Sequence, residues 1–389
     1  MRHSEEDRHR ERRCELLRAA GGYWHRRGLH TGPGQVVAAP SAPLLLLGLL
    51  ATADPAGGGV LLTRPSAPWH EHPVRLLGRT PYRIPAPADC GGVPDPFVLL
   101  ETVRRARSAG DAPRIVLVSV ADDPTGTAAA PELLREVCEA AWDEGLLVVS
   151  DESGRDAPHD PHGTVTVSPA EIVGAERAEH IDSVVVLTGL TGLTGSAALA
   201  GAGGTPTGYG APAAALARFP DTSRGHTLAR EVRGVLTALH AHLPATAARA
   251  ATDALGESAE ARERRAADAR MQGALATALH DAVVAAGGLC LPPQAGRSVY
   301  ADLEPLRRPL AAHGIEDAAE LAAELTRRIG PGAVSGAHFG DAPRLLRVRL
   351  STLLLTGADL PRAPDPLRAP HVRHALDTLR SVLADLTTG

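Results

Sequence analysis

The sequence predicts an α/β large domain on a mostly parallel sheet, followed by a smaller α+β C-terminal domain. Three observations carry this. Short apolar runs alternate with helix-like segments through the first half of the chain. Several of these runs are continuous rather than alternating, as strands covered on both faces are. From Thr227 the pattern changes to long Ala-rich, Arg/Glu-laced helices with a few isolated strands. A length of 389 residues suits two domains. The expected division is a charged N-terminal helix at 1–22, a large domain at 23–240 and a small domain at 241–389. The boundary falls within the helical stretch around 222–255.

The expected strands of the large domain are Gln35–Ala39, Val60–Thr63, Tyr82–Ile84, Ile115–Val120, Leu146–Ser150, Ser183–Leu187 and Ala213–Phe219. Two helices stand out between them, Pro96–Ser108 and Pro131–Glu144. Each has Pro at its start and Gly just past its end, the usual helix punctuation. The segment Gly189–Gly210 is Gly/Ala/Thr-rich and reads as a flexible loop. In the second half, Thr227–Ala286 is helical. It is followed by a strand at Arg297–Leu303, a helix at Ala318–Arg328, a strand at Leu345–Leu350 and a last helix at Val372–Leu386.

Aromatic residues make up 3% of the chain, so Ala, Leu and Val must build the core. A net charge of −5 argues against nucleic-acid binding by bulk charge. Cys14, Cys90, Cys138 and Cys290 are too dispersed for a zinc site or a disulfide framework. His70-Glu71-His72 has no metal-ligand spacing either. Residues 1–13 mix both charges and lack the apolar stretch of a signal peptide. The longest apolar run, Leu44–Ala51, is too short to span a bilayer. A cytoplasmic protein with reduced thiols is expected. One count has direct chemical meaning: all 40 basic residues are Arg and none is Lys, so no side-chain primary amine can form a Schiff base.

Between Leu117 and Asp156 a strand runs into Asp123-Pro124-Thr125-Gly126-Thr127, then a helix, then a strand ending in Ser150-Asp151-Glu152. This resembles the class I/II aminotransferases, the fold type I pyridoxal-phosphate (PLP) enzymes, with their Asn-Pro-Thr-Gly turn and Asp-Glu strand end. The likeness extends to Tyr23–Gly34, to Val60–Pro85 with Arg64-Pro65-Ser66-Ala67-Pro68, to Pro292–Leu303 and to Arg347–Ser351. It covers roughly residues 20 to 385, nearly the whole chain.

The resemblance implies roles for particular positions. Asp151 matches the acid that keeps the cofactor's pyridine nitrogen protonated, so that the ring can absorb electrons. Asp123 stands where the family has an Asn that donates to the phenolic oxygen, and an ionised Asp cannot donate. Ser41 falls at a further cofactor-contacting position. The aromatic that stacks on the ring is replaced by Ala67, with Trp69 two positions on, and the family's Tyr by Gly154. The Schiff-base Lys falls on Gly192, and the phosphate-clamping Arg on Ala200 or Pro212. Ser183–Ala217 contains no Arg, Lys or His at all. His159 and His162 follow Asp151 but read as exposed loop residues. Arg349, with Arg347 as the alternative register, matches the Arg that binds the substrate carboxylate.

The resemblance therefore implies an aminotransferase-like protein unable to do conventional PLP transamination, with no catalytic residue in place. PLP, or a small amino or keto acid, would be held non-covalently only. Two alternatives stand: an active PLP enzyme with a non-standard base, or a non-catalytic partner of a lysine-bearing aminotransferase. A homodimer, or a heterodimer with an intact aminotransferase, is implied because the family's sites form between subunits. Only about 20 residues precede the match, too few for a helix-turn-helix domain. No metal, nucleic acid or membrane is implied.

Overall fold

The structure, a computed structural model, describes residues 2–87, 90–176, 178–190, 214–356 and 365–387. Its elements begin with α1 (Arg2–His25), β1 (Val36–Ala39), α2 (Ala42–Ala53), β2 (Val60–Arg64), α3 (Pro68–Leu76), β3 (Pro81–Pro85), α4 (Pro96–Ser108) and β4 (Ile115–Ser119). A small hairpin follows, β5 (Ala121–Asp122) and β6 (Thr127–Ala128), then α5 (Pro131–Asp143), β7 (Leu147–Asp151), α6 (Pro169–Glu176), β8 (Val184–Gly189) and β9 (Ala215–Arg218). The second half carries three strands, β10 (Ser298–Asp302), β11 (Ala333–Ser335) and β12 (Arg347–Ser351). Its main helices are Ser223–Ala238, Ala245–Gly256, Ala259–Ala285, Ala318–Ile329 and Pro370–Thr387.

Seven strands form one sheet in the order β1-β9-β8-β7-β4-β2-β3. The five from β8 to β3 run parallel, and β9 is antiparallel to both of its neighbours. Side chains alternate across a strand, and this explains the continuous apolar runs. Val116 and Val118 enter the core with Tyr23, Trp24, Leu134 and Trp142, whereas Ile115 and Leu117 face the opposite core with Leu45, Leu49 and Phe219. Both faces of each central strand are therefore buried.

The helices obey local rules. In α4, Asp95 caps the N-terminus by accepting from the amides of Phe97 (2.8 Å) and Val98 (3.2 Å). In α5, Leu134, Val137, Cys138, Ala141 and Trp142 recur at helical spacing and are buried. The chain then turns through Gly145 at φ 70°.

Three features depart from the sequence reading. First, α1 is more than a charged helix. Leu16, Ala20, Tyr23 and Trp24 recur every three or four residues and are buried in the large-domain core. Second, the helix Ala245–Gly256 lies beyond residue 240 yet shares that core through Ala247, Ala248, Ala251 and Leu255. Third, the hairpin β5–β6 and the strand β11 have no counterpart among the expected elements.

The small sheet has the antiparallel order β10-β12-β11. It packs with a separate core that includes Leu275, Leu279, Leu321, Leu350 and Leu383. The β5–β6 hairpin meets the segment leading into this sheet. The amides of Gln294 and Ala295 donate to the Gly126 carbonyl at 2.7 and 2.9 Å. Gly126 has φ 70°, and a Cβ there would sit 2.2 Å from the Ser298 carbonyl oxygen. Glycine is thus required twice over, by conformation and by space.

Candidate functional site

The carboxyl ends of β2, β4, β7 and β8 lie along one edge of the sheet, the side on which open α/β sheets bind ligands. Asp151 closes β7 there and is buried. One oxygen, Oδ2, meets His70 Nε2 at 2.9 Å. The other accepts from the Ser153 hydroxyl (2.6 Å) and amide (3.0 Å). Ser153 in turn accepts from the Gly189 amide at 2.8 Å, which ties the end of β7 to the end of β8. His70 sits on α3, is fully buried and lies edge-on to Trp69 with ring centroids 4.2 Å apart. Its Nδ1 has no hydrogen-bond partner among the described residues.

The sequence reading gives His70 no role beyond a cluster without metal spacing. Nothing in the local sequence links it to Asp151, 81 positions away. Among the described residues, no group of three or more His, Cys, Asp or Glu could hold a metal ion.

Glu152, next to Asp151, points into a different network. Arg155 donates to it at 3.0 Å, the Ser168 hydroxyl also contacts it, and Arg155 reaches on to Glu171. Burial raises the Glu152 carboxyl, and its partners pull the other way.

Asp122 and Asp123 lie at the tip of the β5–β6 hairpin. Asp122 Oδ2 accepts from the Thr125 hydroxyl (2.6 Å) and amide (3.2 Å), while its buried Oδ1 lacks a hydrogen-bond partner among the described residues. Burial pushes the Asp122 carboxyl up to about 7. Asp123 and Asp151 add to that rise and the Thr125 hydrogen bonds oppose it. Between pH about 4 and about 7 the folded protein therefore retains a proton that the unfolded chain releases, so this group's contribution to stability falls as pH rises. Asp122→Asn should remove the slope. Urea unfolding at pH 5 and pH 8 should show the variant gaining on the wild type by about 2–4 kcal/mol across that range. A pH-independent difference would contradict this.

Asp123 points away from Asp122, toward the small sheet. Arg349 Nη2 on β12 donates to Asp123 Oδ1 at 3.0 Å. The Arg349 side chain is 8% exposed and that of Asp123 is 56% exposed. The ring of Phe339 lies 5.8 Å from the guanidinium carbon. Arg347, the other register, is engaged elsewhere, with Asp302 at 2.8 Å and Asp341 at 3.3 Å.

The remaining sequence candidates fall as follows. Ser41 is the residue before α2, half-buried, and makes no capping hydrogen bond. Ala67 is buried and presents only a methyl. Gly154 packs on Ala121, where an added Cβ would lie 3.0 Å from the Ala121 Cβ. His159, expected to be exposed, is half-buried with Nε2 2.9 Å from the Gly296 carbonyl oxygen, a correction explained by this loop's packing on residues 293–296. His162 is exposed. Gly192, Ala200 and Pro212 lie outside the described residues.

A mostly parallel seven-stranded sheet, a buried acid at the carboxyl end of β7 and a second, antiparallel sheet whose Arg349 reaches Asp123 make up an arrangement of the fold type I aminotransferase class. The chain belongs to the aminotransferase class I and II family, whose model matches residues 8–354. Solved structures agree on the fold. Aspartate aminotransferase from Thermus thermophilus with maleate is 19% identical, with a TM-score of 0.70 over 95% of this chain and 81% of that one. A probable N-succinyldiaminopimelate aminotransferase from Thermus thermophilus is 20% identical, with a TM-score of 0.71 over 96% and 85%. Aspartate aminotransferase from Rhizobium meliloti is 16% identical, with a TM-score of 0.70 over 95% and 81%. At these identities the likeness is one of fold. Among curated proteins, no sequence matches. No helix among the described residues is long and apolar enough to cross a membrane.

Proposed function

We propose that this chain keeps the aminotransferase fold as a small-molecule binding protein and does not carry out conventional amino-group transfer. The observation that carries the reading is the absence of lysine from all 389 residues. In the family's chemistry a lysine both anchors the cofactor and moves the proton, and no other side chain supplies a primary amine.

PLP fits this site only in part. Asp151 suits a protonated ring nitrogen, since a carboxylate oxygen can accept more than one hydrogen bond. Ser41, ahead of α2, suits a phosphate. Ala67 offers no aromatic face and Gly154 no hydroxyl, and Asp123 cannot donate to a phenolate. These residues do not fit the cofactor as the family holds it, and PLP would be retained by non-covalent contacts alone. The ligand would sit near Asp151, in a homodimer whose second subunit completes the pocket, in the cytoplasm.

The test combines two readouts on gel-filtered protein. PLP is added, the mixture is reduced with borohydride and peptides are mapped by mass spectrometry. Separately, amino transfer is assayed with a panel of amino and keto acids. No side-chain adduct and no turnover are expected; turnover would sink the reading. A second reading, an active enzyme with a non-standard base, is supported by Asp122, which changes charge near neutrality beside Asp151. Turnover that is lost in Asp122→Asn would favour it.

A further inference from the structure

The geometry points to Asp123 as the residue that closes the Arg349 seat to carboxylate ligands, by placing one of the chain's own carboxylates on that guanidinium. The inference rests on the site being a small-molecule pocket, and it names what the pocket refuses.

A guanidinium fork is the protein group best matched to a carboxylate. Arg349 is nearly buried, has the Phe339 ring 5.8 Å from its guanidinium carbon, and reaches from β12 to the β5–β6 hairpin. Asp123 meets it at 3.0 Å. Asp123 does not arrive there by chance of a loose loop. Pro124 follows it, Asp122 pins the turn through Thr125, and Gly126 locks the hairpin against residues 294–298. The carboxylate is therefore presented at fixed reach.

Charge decides the consequence. A ligand carboxylate approaching Arg349 must displace Asp123 or share the guanidinium with it. Displacement leaves the Asp123 carboxylate without its guanidinium partner, within electrostatic range of Asp122. Sharing places two like charges within a few ångströms of each other, which is repulsive. The site thus takes ligands that are neutral where they face Arg349, such as amides, and excludes those with a free carboxylate there.

Chemical rescue tests this. Asp123→Asn keeps the size of the side chain and removes its charge. Thermal unfolding is followed with increasing sodium acetate, against sodium chloride at equal ionic strength, for the wild type, Asp123→Asn and Asp123→Asn/Arg349→Gln. Asp123→Asn should melt lower than the wild type in chloride and recover in acetate, with acetate binding at least about tenfold tighter than to the wild type. The double variant should lose the acetate response. An acetate response in the wild type that depends on Arg349, or none in folded Asp123→Asn, overturns the inference; far-UV circular dichroism establishes that the variant is folded. The readout is carboxylate binding and not turnover. Amino transfer by the wild type would remove the proposed function and leave this result standing.

Discussion

Arg27→Ala should destabilise the protein by about 3 kcal/mol at pH 7, read from the urea midpoint and slope. Arg27 lies two residues past the end of α1 and holds three things at once. It donates to Asp156 at 2.6 Å and to Glu257 at 2.9 Å, and its guanidinium carbon lies 3.6 Å from the centroid of the Tyr23 ring. The Tyr23 hydroxyl also donates to Asp156, at 2.5 Å. All these side chains are largely buried, so the truncation takes a charged partner from two carboxylates at once and leaves Asp156 to Tyr23, and Glu257 to Arg26 and Arg265. Burial pushes the Glu257 carboxyl up, but Arg27, Arg26 and Arg265 overcome it and hold the group down at about 2, against 4.5 in an unfolded chain. A depressed carboxyl contributes stability above its unfolded value and loses it as pH falls toward the folded one. The deficit of Arg27→Ala should therefore shrink between pH about 4.5 and about 2. It should also respond weakly to salt, because the network is shielded from solvent. A deficit under about 1 kcal/mol, or one abolished by salt, would reduce the network to surface pairing.

The second large effect is expected at Asp151. Asp151→Ala leaves His70 fully buried with Nε2 bereft of its partner, beside an Nδ1 that already lacks one among the described residues. Stranding a buried polar group costs about 1–3 kcal/mol. Replacing both partners by apolar groups of similar shape costs much less. Asp151→Ala/His70→Phe should thus recover a good part of the lost stability, and the double-mutant cycle should give a coupling above about 1 kcal/mol. Any PLP-perturbed absorption band retained by the wild type after gel filtration should vanish in both variants, whatever their stability. Additive losses would mean that the 2.9 Å contact does little. A band that survived Asp151→Ala would move the binding site away from β7.

The parallel strands were legible because burial on both faces leaves uninterrupted runs such as Ile115–Ser119 and Val184–Gly189. Asp151 was singled out by the likeness of Ser150-Asp151-Glu152 to the family's strand end, and it closes β7. The hairpin β5–β6 was not, since two-residue strands are too short to show a period. The helix α2 was visible only as an apolar run, because Leu44–Leu47 is apolar all round and shows no 3.6-residue stripe. The helix α3 carries Pro73 in its interior, which conceals a helix from local rules. The pairings that give the site its character join residues far apart in the chain: His70 with Asp151, and Asp123 with Arg349 across 226 positions. Residue types were readable at those positions, but partners were not. The Asp123 carboxylate read as an impediment to one cofactor oxygen; its hold on Arg349 emerged only in three dimensions.

The strand order has a consequence in time. Val36–Ala39 forms an outer strand whose sheet neighbour is Ala215–Arg218. During synthesis at about 5–20 residues per second, the first strand made waits on the order of 10–40 seconds for its neighbour to appear. Strands β2, β3, β4 and β7 meet their neighbours far sooner. The middle of the sheet is therefore laid down before its N-terminal border. Until β9 arrives, the hydrogen-bonding edge of β8 is an open strand edge on the nascent chain.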